Sequence, residues 1–116
     1  MASARSVTAA GLGLVVLGVV LAMAPLGGAL ADQAAGDPVK GKAVFASAMC
    51  GGCHTLADAG ATGQVGPSLD GDSNLTHELV VSRVGNGLAS MPPFNDQLNQ
   101  QEIADVAAYV MQAAKK

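Results

Sequence analysis

The apolar positions near the end of the chain repeat with the period of an α-helix. Asn99 and Glu102 have the spacing of a capping box, in which each side chain accepts from the other residue's backbone N–H. Behind them, apolar residues at intervals of three and four form one face: Ile103, Val106, Ala107, Val110 and Met111. This pattern predicts a C-terminal helix that buries that face in a core.

Two earlier segments carry start signals for helices. Asp37 is a good N-cap and Pro38 suits the first helical position, which predicts a helix over Pro38–Met49 that leads directly to Cys50. Thr76 is in position to cap a middle helix that ends near Gly85. Residues 55–74 have loop composition and require no strand, so the predicted fold class is all-α.

The first part of the chain is apolar in a different way. Residues 7–31 carry no charge, follow Arg5, and end in the small-residue pattern Ala29-Leu30-Ala31. These features predict a secretory signal peptide over residues 1–31, then a short linker at 32–36 and a domain at 37–116. The alternative is an uncleaved membrane anchor, since Val7–Ala24 is about long enough to span a bilayer. Pro25 and the glycines after it favour cleavage, and either way the domain is exported.

The composition of the predicted exported part, residues 32–116, argues against nucleic-acid binding and indicates that the domain needs an additional stabilising group. Residues 32–116 carry five basic and nine acidic side chains, a net charge of −4, and offer no basic patch for nucleic acid. They also contain only three aromatic residues and no tryptophan. Because small domains struggle to bury enough apolar surface, such a chain is expected to recruit a disulfide, a metal or a cofactor.

The segment MCGGCHTL, residues 49–56, holds both cysteines and one of the two histidines. A Cys50–Cys53 disulfide would close a very short loop and add little stability, and a thioredoxin-like redox pair needs a βαβ setting. A closed zinc site needs four ligands, and the remaining candidate, His77, is far away in sequence. Cys-x-x-Cys-His is the attachment signature of c-type haem, so the motif favours Cys50 and Cys53 as thioether links and His54 as an axial ligand of the iron.

A haem iron in an electron carrier takes a second axial ligand, most often methionine or histidine. Met91 stands in GNGLASMPPFND, an irregular loop in which two prolines restrict the backbone. Met1 and Met23 belong to the presequence, Met49 adjoins Cys50, and Met111 fits core packing. The rival ligand is His77, which we interpret as a solvated residue in the first turn of a helix. Met91 is therefore the predicted sixth ligand.

The order of these motifs resembles the class I cytochromes c over residues 37–114. The small soluble bacterial proteins and the algal and cyanobacterial carriers that can replace plastocyanin are the most similar. In the family, a glycine and an aromatic residue four positions later mark the first helix where it crosses the last, which matches Gly41 and Phe45 in GKAVFASAMCGGCH. In EIADVAAYV, Tyr109 takes the aromatic position that packs on the first helix.

The resemblance also implies ligands and supporting groups. VGPSL resembles the loop whose proline carbonyl accepts the Nδ1 proton of the haem histidine, which assigns that role to Pro67. NGLASMPPF resembles the axial-methionine loop and again assigns Met91. The implied fold is the cytochrome c fold, with three to four helices and loops wrapped around one covalently attached haem.

The function that this resemblance implies is one-electron transport by a single haem c and its iron, not enzymatic catalysis. The implied partners are a cytochrome bc-type donor and a terminal oxidase or photosystem acceptor. The basic ring of the mitochondrial relatives is missing, so the resemblance does not identify them further. The protein is expected to be a monomer in the periplasm, at the outer face of the cytoplasmic membrane, or in a thylakoid lumen. The alternatives are an electron-entry subunit of a larger dehydrogenase and, if Met91 is not a firm ligand, a small haem sensor or peroxidase.

Overall fold

Three α-helices form the body of the part of the chain that the structure describes. A computed structural model describes residues 35–116, together with Gly11 and Gly13. The helices are α1 (Pro38–Ser47), α2 (His77–Asn86) and α3 (Gln100–Ala113). Among the described residues, none of the helices has the length and apolar character needed to cross a bilayer. The predicted signal peptide lies outside the described residues.

The predicted helix starts are confirmed by their hydrogen bonds. The Asp37 side chain accepts from the backbone N–H groups of the first turn of α1, and the Thr76 hydroxyl accepts from Leu79 N at 3.1 Å. Asn99 and Glu102 form the complete capping box of α3, with distances of 2.9 and 2.8 Å. Each cap is built from residues within three positions, which is why sequence alone could locate it.

The helix ends differ slightly from the prediction. α1 ends at Ser47, not Met49, because Met49 takes a left-handed backbone conformation with φ of 57° that turns the chain toward Cys50. α2 continues through Gly85 to Asn86, and Gly87, with φ of 70°, follows its end. Glycine accepts that positive φ without steric cost, so Gly87 rather than Gly85 ends the helix.

The prediction that no strand is present was wrong for a short hairpin after His54. Strand β1 (Thr55–Leu56) pairs antiparallel with β2 (Ala61–Thr62), and the 3₁₀ turn Ala57–Ala59 connects them. Gly60 supplies the positive φ that closes the turn. Strands of two residues are too short for an alternating pattern to appear in the sequence. Leu56 is fully buried and fixes the hairpin to the core.

The crossing of α1 and α3 forms the main helix contact. A Cβ atom at Gly41 would overlap the backbone carbonyl of Asp105 and lie 2.8 Å from Cβ of Tyr109, so only glycine permits this approach. Next to it, the rings of Phe45 and Tyr109 pack edge to face with centroids 5.6 Å apart. The Gly41, Phe45 and Tyr109 contacts that the sequence resemblance implied are therefore present.

A buried carboxylate reinforces the same crossing. Asp105 on α3 accepts a hydrogen bond from the backbone N–H of Asp37 at 2.7 Å and from Gln101 Nε2 at 2.8 Å. A buried carboxylate without such partners would be strongly unfavourable. The start of α1 is thus fixed to the side of α3.

Candidate functional site

The Cys-x-x-Cys-His segment follows α1, and its first three residues, Cys50–Gly52, form one turn of 3₁₀ helix. The carbonyl oxygen of Cys50 accepts from Cys53 N at 3.2 Å and from His54 N at 3.0 Å, so a single carbonyl organises the motif. Cys50 is half-buried and Cys53 is exposed, and both are free thiols rather than a disulfide. Burial raises the pKa of the Cys50 thiol.

The orientation of the His54 ring is fixed by a loop carbonyl. His54 Nδ1 lies 2.8 Å from the carbonyl oxygen of Pro67. A carbonyl oxygen can only accept, so Nδ1 carries the proton and the lone pair is on Nε2. Metal-binding histidines commonly donate their other ring N–H in this way. The structure thus contains the contact that the resemblance implied for Pro67.

Gly63 and Gly66, which have no individual signal in the sequence, hold the loop against this motif. Gly66 donates its N–H to Cys53 O at 2.8 Å, and a Cβ atom there would lie 2.8 Å from Nδ1 of His54. Gly63 donates to Gly51 O at 3.2 Å, and its Cβ would lie 2.5 Å from the carbonyl carbon of Cys53. The only sequence signal is the frequency of glycine in GATGQVG, which predicts a loop but not the group it packs against.

The loop that carries Met91, residues 87–95, is held by backbone hydrogen bonds. Leu88 and Met91 exchange two of them, Leu88 N to Met91 O at 3.1 Å and Met91 N to Leu88 O at 2.9 Å. Further along, Phe94 N donates to Val84 O on α2 at 2.9 Å. The Met91 side chain is half-buried and packs against the core. The loop therefore places Met91 in a defined position beside the core.

The structure places His77 differently from the predicted solvated residue. It is the first residue of α2, is half-buried, and its Nε2 lies 3.4 Å from the carbonyl oxygen of Ala104 on α3. It lines an open surface groove of about 480 Å³ between the two helices, together with Glu78, Val81, Ser82, Gln100, Gln101 and Ala104. Met111 is half-buried against the core, in keeping with its predicted packing role.

Metal-binding side chains do not otherwise gather in this part of the chain. Within the described residues, no group of three or more His, Cys, Asp or Glu side chains is arranged to hold a metal ion. The candidate site therefore consists of the two thiols, His54 with its Pro67 partner, and the Met91 loop.

Comparison with protein families gives a match that includes all of these site residues. A family model described as cytochrome c oxidase, cbb3-type, subunit III, matches residues 36–110. Among curated proteins, cytochrome c6 from Synechocystis sp. is 32% identical over 89 residues, which is 71% of this chain and 70% of that protein. Cytochrome c6 from Chlorolobion braunii is 37% identical over 89 residues, covering 67% of this chain and 92% of the relative.

Solved structures agree with the sequence comparison. The c-type cytochrome SorU from Sinorhizobium meliloti is 41% identical and has a TM-score of 0.61, with 66% of this chain and 90% of that one covered. Cytochrome c6 from the diatom Phaeodactylum tricornutum is 35% identical with a TM-score of 0.56, covering 68% and 95%. The three helices and the loops between them therefore form a cytochrome c fold.

Proposed function

The chain belongs to the class I c-type cytochromes, and on that premise we propose that it is an exported one-electron carrier with His/Met axial ligation. Members of this family bind a covalent c-type haem with iron. When bound, this group supplies reversible one-electron chemistry. We assign its attachment to Cys50 and Cys53 and its axial ligation to His54 and Met91.

The observation that carries the assignment is the state of His54 beside two free thiols. The Nδ1 atom of His54 donates a hydrogen bond to the carbonyl oxygen of Pro67 at 2.8 Å, so Nε2 is the ring nitrogen that remains available to bind iron. Cys50 and Cys53, with no disulfide between them, are available to form thioethers. These donors fit the group that the family binds, and Pro67 fixes the ring orientation of the ligand.

Several features support Met91 as the second axial ligand. The paired hydrogen bonds between Leu88 and Met91 restrict the loop, and the half-buried side chain lies against the core. A thioether opposite an imidazole favours the reduced state and raises the midpoint potential. His54 and Met91 together would fill both axial positions and would leave no coordination position for a substrate, which favours a carrier over an enzyme.

The partners that we propose follow the relatives. Cytochromes c6 are redox carriers, so donor and acceptor are expected to be redox complexes: a cytochrome bc-type donor and an oxidase or photosystem acceptor. The match to a model described as an oxidase subunit favours a second candidate, a haem subunit of a larger redox enzyme. Purification of the protein from its source, alone or with an enzyme, separates the two.

Replacement of Met91 tests the ligand assignment. We expect Met91→Ala to keep the covalent haem but lose the far-red absorption band of methionine-ligated ferric iron, and to bind carbon monoxide at neutral pH. Its midpoint potential should fall by more than about 60 mV, equivalent to a tenfold weaker preference for the reduced state in a one-electron couple. Mass spectrometry, absorption spectra and a redox titration measure these changes.

His77→Ala is the matched control, because His77 is the rival ligand and its Nε2 lies 3.4 Å from the carbonyl oxygen of Ala104 on α3. We expect it to retain the far-red band and the potential of the wild type. If His77→Ala abolishes the low-spin spectrum while Met91→Ala preserves it, the sixth ligand is His77 and the assignment is wrong.

A further inference from the structure

One carboxylate joins three parts of the molecule that are distant in sequence. Asp58 accepts hydrogen bonds from Lys116 Nζ at 2.7 Å, Tyr109 Oη at 2.8 Å and Lys42 Nζ at 3.2 Å. Its side chain is only 17% exposed. We call this group of four residues the Asp58 junction.

The junction ties the hairpin after His54 to the helix crossing. Lys42 lies on α1, Tyr109 on α3, Lys116 at the chain end, and Asp58 in the 3₁₀ turn between β1 and β2. Lys42 Nζ also contacts the backbone carbonyl of Asp58 at 3.1 Å, so both the side chain and the main chain of the turn are held. Charge-assisted hydrogen bonds of this kind are stronger than neutral ones. A network of them contributes more to the stability of the fold than an isolated surface ion pair does.

The other side of the same hairpin holds the loop that contains Pro67. Leu69 N donates to Thr55 O at 2.9 Å. Ala57 N donates to both carboxylate oxygens of Asp70, at 3.1 and 3.0 Å. The hairpin therefore lies between the Asp58 junction and the loop whose Pro67 carbonyl orients His54. A shift of the hairpin would change the distance between His54 and Pro67.

We propose that Asp58 is a positioning residue for His54: by anchoring the hairpin to α1 and α3, it fixes the hydrogen bond between His54 Nδ1 and Pro67 O. The inference rests on the proposed function, because it matters for electron transfer only if His54 binds iron. The strength of that hydrogen bond sets how strongly the imidazole donates to the metal. Asp58 thereby contributes to the midpoint potential without touching the haem ligands.

The test compares Asp58→Asn with Asp72→Asn in the holoprotein. Both variants remove one negative charge, but the Asp72 carboxylate accepts only from Asn74 within its own turn, at 2.9 and 3.2 Å. The measurement is the rate at which the Nδ1 proton of His54 exchanges with solvent, followed by NMR of the iron-shifted signals. We expect exchange to become about tenfold faster in Asp58→Asn. Local opening of the hairpin, which exposes the His54 proton, then no longer has to break the charge-assisted hydrogen bonds of the Asp58 carboxylate.

The midpoint potential provides a second readout. It should shift more in Asp58→Asn than in Asp72→Asn, because only the first variant alters the Pro67 hydrogen bond as well as the charge. Tyr109→Phe removes one donor and keeps the carboxylate and the ring. Lys116→Gln replaces the ammonium donor from the chain end and removes one positive charge. Both should accelerate exchange in the same direction but less, so they carry the test if Asp58→Asn does not fold.

Two results would overturn the inference in distinguishable ways. If Asp58→Asn lowers the free energy of unfolding but leaves His54 exchange and the potential equal to those of Asp72→Asn, Asp58 only stabilises the fold. If the wild-type protein shows no iron-shifted His54 signals, the axial assignment of His54 is wrong, and the positioning role is rejected with it.

Discussion

Tyr109 is the only tyrosine of the chain, so its titration can be followed without interference from a second one. Burial, followed by the hydrogen bond and the charge of Asp58, raises the pKa of Tyr109 to about 12. An unfolded tyrosine titrates near pH 10. The neutral hydroxyl is therefore favoured by folding, and its contribution to stability is fully present below about pH 10 and is lost between about pH 10 and 12.

From this we expect Asp58→Asn to lower the pKa of Tyr109 toward its ordinary value, because the anionic partner is gone. NMR of ring-labelled tyrosine in the holoprotein measures the titration directly. Asp72→Asn, which leaves the junction intact, should keep the wild-type value. An unchanged Tyr109 pKa in Asp58→Asn would show that burial alone raises it.

Asp58 itself responds to acid. Its hydrogen bonds from Lys116, then Tyr109 and Lys42, hold its pKa well below the usual range. A lowered pKa means that the junction stabilises the folded protein fully above about pH 4 and loses that contribution as pH falls further. The pKa of Asp58 is thus lowered and that of Tyr109 is raised. The contribution of the junction to stability is therefore lost at low pH through Asp58 and at high pH through Tyr109.

Residues whose partners are near in sequence could be recognised before the structure, and those with distant partners could not. Cys50, Cys53 and His54 form a contiguous motif that itself predicts the chemistry. Pro67 was assigned only through the family resemblance, since nothing in the loop's own pattern indicates a contact with His54. Asp58 had no such support: its three donors come from α1, α3 and the chain end, and no spacing in the sequence relates them.

At the scale of elements, the close approach of α1 and α3 depends on Gly41. We expect Gly41→Ala to lower the free energy of unfolding by about 1–3 kcal/mol, because the new methyl group overlaps Asp105 O and lies 2.8 Å from Cβ of Tyr109. Helix propensity alone predicts the opposite sign, since alanine is about 1 kcal/mol more favourable than glycine within a helix. Denaturant unfolding of the holoprotein measures the difference.

Ala43→Gly provides the control on the same helix. Ala43 is exposed, so this change reports propensity without altering the crossing, and it should destabilise by about 1 kcal/mol. If Gly41→Ala instead stabilises by a similar amount, the two helices can separate without cost and the crossing does not require glycine.

The elements differed in how well local patterns predicted them. Helix caps satisfy backbone N–H groups with side chains in the same turn, so Asp37, Thr76 and Asn99 marked the helix starts correctly. Helix ends were shifted because they depend on backbone φ at Met49 and Gly87. The β1–β2 hairpin was missed because pairing with Ala61–Thr62 and burial of Leu56 hold it, and both are tertiary effects.

For the whole molecule, the sequence could predict the family but not the partners. The family follows from motifs in a fixed order over residues 37–114, and the comparisons confirm it. Partner choice depends on the distribution of surface charge, and residues 32–116 carry a net charge of −4 without a basic ring. The net charge of a protein affects its association rates and its solubility, but it does not identify a single partner.

The length of the helices leads to the last prediction, that the chain without its covalent cofactor is largely unfolded. The three described helices have 10, 10 and 14 residues, and helices this short are marginal in water without tertiary packing. Residues 32–116 have only three aromatic side chains for a core, and a group that binds only the folded state adds its binding energy to folding. We expect far-ultraviolet circular dichroism of a Cys50→Ser/Cys53→Ser chain made without haem to show little helix, while the holoprotein shows the full signal and a cooperative thermal transition.

Asp72→Asn holoprotein, folded and haem-loaded, controls for the effect of a surface substitution. Equal helix content in the two forms would mean that α1 and α3, with Gly41 and the Phe45–Tyr109 pair at their crossing, fold without the cofactor.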